Sequence, residues 1–123
     1  MIVLALALAG AFGAVARFAV DSYVKSKLRT SSFPWATVGI NISGSLLLGF
    51  LAGLVLFDGG SADLQTVVGT GLCGGYTTFS TASFETVRLI QTGKHVAALS
   101  NAVSTVVLSI GACAAGFALA GAI

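Results

Sequence analysis

Residues 71–83 read Gly-Leu-Cys-Gly-Gly-Tyr-Thr-Thr-Phe-Ser-Thr-Ala-Ser. They lie inside what would otherwise be a membrane-spanning helix, yet they are dense in glycine and hydroxyl groups. The pair Gly74 and Gly75 lets a helix unwind at little cost. Backbone groups freed by such a break find no water in hydrocarbon, so it survives only where protein or a wet cavity receives them. Half-helix ends near the bilayer midplane then present N–H and C=O groups as ion ligands. The stretch predicts a helix over about residues 64–90, broken near 74–81, with the break as the functional centre.

The flanking sequence supports a membrane setting. The chain is 56% hydrophobic and only 8% charged, and its mean hydropathy is +1.00. A soluble domain carries about a quarter charged residues, so the class is an all-α membrane protein. At about 20 residues per crossing, residues 1–123 hold one domain of four transmembrane helices, over about 2–20, 35–57, 64–90 and 96–120. Four short helices bury little among themselves, so oligomerisation is expected. The net charge of +2 is too small to point to nucleic acid. Cys73 and Cys113 sit in hydrophobic segments and read as free thiols acting as small hydrophobes. The N-terminal run lacks a basic n-region and its one charge, Arg17, follows the apolar stretch. It reads as a retained first helix and not a signal peptide.

Along helix one, Gly10 and Ala14 form a small-xxx-small pair suited to close helix approach. Arg17 lies one turn beyond Gly13. It is either an interfacial anchor snorkelling to headgroups or a structural arginine that meets carbonyls or lines a wet vestibule. Residues 21–33 read as a polar loop carrying Lys25, Lys27 and Arg29. Pro34 and Trp35 suit the first turn of helix two and the membrane interface. Thr37, Asn41 and Ser45 share a face of helix two, which Gly49 and Gly53 continue as a close-packing stripe. Gly59 and Gly60 loosen the second turn, and Gly93 marks the stop before helix four.

No nucleophile–base set is visible, and His95 has no Cys, Asp or Glu at metal-ligand spacing, so an enzyme is not expected. What remains is neutral polar groups at membrane depth. Asn41 is the costliest, with two donors and an acceptor to satisfy. Asn101, Thr105 and Ser109 repeat at i, i+4 and i+8 on helix four. Such residues can be no more than helix glue, bonding back to their own turn or across to a neighbour. Two aligned stripes beside a broken helix favour a pore. The stripes carry neither carboxylates nor amines, so their N–H and O–H donors suit a small dehydrating anion. Phe79, inside the break, can offer an anion its positive ring edge.

Residues 71–83, together with Asn41 in Gly-Ile-Asn-Ile-Ser-Gly and the Gly-x-x-x-Arg of helix one, resemble the Fluc (CrcB) fluoride channel family over all four helices. The resemblance implies a dual-topology assembly of two antiparallel four-helix subunits with two narrow fluoride pores. It also implies a sodium ion at the dimer centre, held by carbonyls of the broken third helices at positions matching Gly74 and Thr77. Asn41, Phe79, Asn101, Thr105 and Ser109 match the family's ion pathway. The setting implied is a multi-pass protein of a prokaryotic cell membrane, with lipid and a second subunit as its partners. One position departs from the pattern: Ala82 stands where the family usually carries a second phenylalanine. Phe84 is about 200° further round a helix and cannot replace it.

Two other classes compete with the channel. A small multidrug-type exporter would need a carboxylate deep in helix one, where only Arg17 is charged. A membrane scaffold would use the polar stripes as glue. Charge also bears on assembly. All six basic residues fall in or beside the first and third loops, whereas the second loop holds Asp58 and Asp63. The positive-inside rule then predicts insertion mainly one way, with both termini outside. An antiparallel partner would be a paralogous subunit of opposite bias, able to keep the ring that Ala82 lacks.

Overall fold

The computed structural model describes residues 1–28, 33–59 and 61–123, so Arg29 and Gly60 lie outside the described residues. In chain order the elements are α1 (Ile2–Lys27), α2 (Trp35–Asp58), α3 (Ala62–Leu64), a π-helical segment (Gln65–Cys73), α4 (Gly74–Tyr76), α5 (Ser80–Gln91) and α6 (His95–Ala122). Among the described residues, α1, α2 and α6 are long and apolar enough to cross a membrane. The other helical residues form two shorter runs, 62–76 and 80–91, separated by residues 77–79.

The loop expected from residue 21 begins later, because α1 continues to Lys27. Its last turns are held by local charge: Lys25 Nζ lies 3.1 Å from Asp21 Oδ2 one turn earlier, a favourable i,i+4 order. Lys27 Nζ stands 5.6 Å from the centroid of the Tyr23 ring, and both lysines complement the negative end of the helix. A helix of 26 residues rises about 39 Å, more than a hydrocarbon core of about 30 Å. The charged turns therefore extend α1 beyond the apolar layer.

Two helix ends close on left-handed glycines. Gly59 (φ 68°) ends α2, its N–H donating to the Leu54 carbonyl. After α5, Gly93 (φ 81°) donates to the Ile90 carbonyl at 3.1 Å while Lys94 N–H reaches the Leu89 carbonyl at 2.8 Å. That double closure is a Schellman motif, and it turns the chain into α6.

Packing runs through glycine and backbone. α2 and α6 make the most extensive contact. Gly49 lies against the Cys113 carbonyl and Gly116 against the Leu46 carbonyl, so close that neither site has room for a Cβ. α1 meets the π-helical segment and α4 in the same manner, Gly13 against the Leu72 carbonyl and Gly75 against the Gly10 carbonyl. Lipid offers no hydrophobic drive for helix association, so dispersion at such close approach is what holds the helices. No local sequence pattern signals the π-helical segment. Its wider coil contains Gly69 and Gly71, and a Cβ on Gly71 would stand 3.0 Å from the Leu6 carbonyl of α1. The interior is unusually polar: two of its three largest fully buried side chains are Asn101 and Thr37, with Ile40 the third.

Candidate functional site

The site grows from one amide. Asn41, on the buried face of α2, donates through Nδ2 to the Thr78 carbonyl at 2.9 Å. Its Oδ1 accepts from the Thr78 N–H at 2.8 Å. A side-chain amide has a donor and an acceptor side by side, so it replaces both helical hydrogen bonds that Thr78 has lost. Asn41 and Thr78 are each 7% exposed. Unpaired, those two backbone groups would cost several kcal/mol in an apolar setting, roughly 1–3 kcal/mol each by mutational measure.

The flanking hydroxyls complete the irregular stretch. Thr77 Oγ1 donates to the Cys73 carbonyl at 2.8 Å, and Tyr76 and Ser43 share a hydroxyl–hydroxyl bond at 3.0 Å. Thr78 Oγ1 accepts from the Thr81 N–H at 3.1 Å, which starts α5. These bonds have a consequence for two carbonyls. In an uninterrupted helix, the Thr78 N–H would meet the Gly74 carbonyl and the Thr81 N–H the Thr77 carbonyl. Both donors go elsewhere, so the Gly74 and Thr77 carbonyls are left without those partners. Gly74 is itself exposed, with open space where a Cβ would stand.

A groove of about 530 Å³ runs between α2, the irregular stretch and α6. It brings together Asn41, Ser45, Thr77, Phe79, Thr105 and Ser109. Among the described residues, no ionised side chain lines it. Phe79 is 86% exposed, so its ring projects out of the subunit. The Ser109 hydroxyl is buried and has no hydrogen-bond partner among the described residues.

Asn101 does not line this groove. It is fully buried, donating to Thr86 Oγ1 at 2.7 Å and to the Ala82 carbonyl at 3.4 Å. It therefore clamps α5 to α6, and Thr105 Oγ1 reaches its Oδ1 only at 3.5 Å. Of the helix-four stripe, Thr105 and Ser109 face the groove while Asn101 faces α5. Arg17 stands in a separate cavity of about 330 Å³ that Thr78 also lines, with Asp21, Thr37 and Thr81. It has no ion pair among the described residues, since Asp21 pairs with Lys25.

Three participants escape a reading of the sequence. Thr78 acts through its backbone, which no side-chain pattern signals. Thr86 receives Asn101, and Glu85 accepts from the Thr37 hydroxyl. For the last pair there is a signal, a carboxylate resuming the helix just after the break.

Comparison with known proteins adds an independent result. The family model described as CrcB-like protein, Camphor Resistance (CrcB), matches residues 4–117. A protein of Leifsonia xyli subsp. xyli named "Fluoride-specific ion channel FluC 1" is 45% identical over 121 residues, covering 98% of this chain and 88% of that one. Its namesake from Streptomyces avermitilis is 43% identical, covering 90% of each chain. "Fluoride-specific ion channel FluC 2" of Mycobacterium tuberculosis is 46% identical, covering 89% of this chain and 82% of the relative.

Proposed function

This chain belongs to the CrcB-like family, and we propose that it is the subunit of a fluoride-selective channel through which the anion passively leaves the cytoplasm. Near-full-length identity to proteins named fluoride-specific ion channels carries the reading. The groove supports it with neutral N–H and O–H donors and, among the described residues, no fixed charge, the chemistry a small dehydrating anion requires. Fluoride efflux from liposomes, measured against chloride and a cationic dye, tests it. Selective fluoride loss is the expected result; equal chloride loss, or dye transport, overturns it. An exporter needs a deep carboxylate on α1, where the single acid, Asp21, sits near the helix end and is paired to Lys25.

The finer architecture follows from the same reading. Residues 62–76 and 80–91 together make the third of four crossings, broken near the bilayer midplane in a multi-pass protein of a prokaryotic cell membrane. Two subunits pack antiparallel. The exposed Phe79 ring and Gly74 backbone lie on the surface that a partner would cover. Sodium fits this surface because hard carbonyl oxygens are its preferred ligands. The Gly74 and Thr77 carbonyls have each lost a helical donor, so they are free to hold it. A bound ion would supply positive charge to these carbonyls. In the ion pathway Asn41 supplies its remaining Nδ2 hydrogen, Thr105 and Ser109 supply hydroxyls, and Phe79 supplies a ring edge. Asn101 acts from behind, positioning α5.

Ser109 separates pathway from packing. Ser109→Ala removes an unpartnered buried hydroxyl, so stability is expected to rise by about 1 kcal/mol while fluoride flux falls. Raised stability with unchanged flux would leave Ser109 a packing residue.

The partner is a paralogous subunit of opposite charge bias. Lys25, Arg88 and Lys94 line a single pocket at one end of the subunit, and charge concentrated at one end favours one insertion direction. Ala82 lines the groove in place of the usual ring, so the partner would provide the better-lined pore. C-terminal reporter fusions are expected to signal from the outer face only. Equal signals from both faces, or robust efflux from this chain purified alone, would count against the heterodimer.

A further inference from the structure

Beyond the ion pathway, we infer that the pocket between the end of α1, the start of α2 and the end of α5 binds the headgroup of an anionic phospholipid. The pocket holds about 410 Å³ and mixes basic with apolar residues. Its lining combines the cationic side chains of Lys25, Arg88 and Lys94 with the apolar ones of Val24, Leu28 and Leu89. Arg88 and Lys94 have no ion pair among the described residues, while Lys25 is shared with Asp21. One carboxylate, Glu85, also faces the pocket and opposes an anion. It already accepts a hydrogen bond from the Thr37 hydroxyl, and three cations outnumber it.

The depth fits a headgroup. Trp35 lines the pocket at the first turn of α2 and is 53% exposed, as a side chain at the boundary between hydrocarbon and water should be. Basic pockets between membrane helices receive lipid phosphates in this way, the cations neutralising the headgroup while apolar walls take the acyl chains. The ends of α1 and α5 carry negative partial charge that disfavours an anion. Full charges on flexible stems outweigh those half-charges, and they are placed at both helix ends. A free inorganic anion would use the cations but not the apolar wall, so the occupant is a lipid.

Native mass spectrometry of the full-length protein, titrated with phosphatidylglycerol and with phosphatidylcholine of matched chains, tests the site. The wild type is expected to retain phosphatidylglycerol preferentially. The double variant Arg88→Gln, Lys94→Gln is expected to weaken that binding about tenfold or more and leave phosphatidylcholine unaffected. Lys27→Gln, outside the pocket, should change nothing. Arg88→Lys, which keeps the charge, should retain binding and guards against a folding artefact. Equal retention of the two lipids, or undiminished phosphatidylglycerol binding by the double variant, overturns the inference. Displacement of the lipid by equimolar glycerol phosphate would overturn it too, since the acyl wall would then contribute nothing.

Discussion

Asn41→Asp is expected to reduce fluoride efflux at neutral pH by at least about a hundredfold, which corresponds to about 2.7 kcal/mol. The substitution is nearly isosteric, so the loss comes from charge and hydrogen polarity. Aspartate keeps the acceptor that meets the Thr78 N–H. It loses the donor that meets the Thr78 carbonyl, and two oxygens then face each other at a buried site. The stranded carbonyl costs about 1–3 kcal/mol. A buried carboxylate without a cation costs several more, or else takes up a proton. A fixed negative charge beside the groove also repels the permeating anion. These terms act in the same direction. Efflux measured on protein that elutes at native size separates flux from misfolding. Unchanged efflux in such protein would remove Asn41 from both the pathway and the support of the break.

Acidification supplies an internal control. Once protonated, the introduced carboxyl regains one O–H donor and loses its charge, so part of the lost efflux should return as pH falls through its titration. The wild-type amide does not titrate, so its efflux should show no matching rise. Partial recovery confined to the variant would tie the defect to charge and donor polarity rather than to shape.

How far the sequence discloses all this depends on the range of the physics involved. The irregular stretch at residues 77–79 is only partly legible: Gly74 and Gly75 precede it but stay helical in α4, Gly75 serving the close approach to Gly10, and the run of hydroxyls is the local signal. The glycine seams are legible for the same reason, since only a residue without a Cβ permits the approach of Gly49 to Cys113. The pairing of Asn41 with Thr78 is not, because it joins a side chain to a backbone 37 positions away. Spacing at i, i+4 and i+8 places Asn101, Thr105 and Ser109 on one face, but that face is broad enough to serve two neighbours. Asn101 meets α5 and Ser109 meets the groove. The extension of α1 is hidden for another reason: five of residues 21–27 are polar or charged, and that polarity reads as loop until Asp21 and Lys25 are seen one turn apart.

Gly116→Leu tests the seam itself and is expected to cost about 3 kcal/mol or more, at or above the roughly 1–3 kcal/mol typical of overpacking. A Cβ at Gly116 would fall on the Leu46 carbonyl and within 2.8 Å of the Phe50 nitrogen. Those atoms are backbone, so no side chain can swing aside and α2 must move bodily away from α6. Flexible neighbours absorb part of such an insertion, and a rigid backbone wall cannot. Separation of the helices also removes the dispersion that holds them, because lipid fills the gap equally well. Gly116→Ala already introduces the offending Cβ and should be destabilised in the same sense, though less. Gly111 on the same helix provides the contrast. It is exposed, with nothing within 4 Å of where a Cβ would stand, so Gly111→Ala should gain about 0.5–1 kcal/mol from the better helix former. Reversible unfolding in mixed micelles, followed by helical circular dichroism, reads all three. A Gly116→Leu protein as stable as wild type would mean that α2 and α6 are not held by this backbone approach.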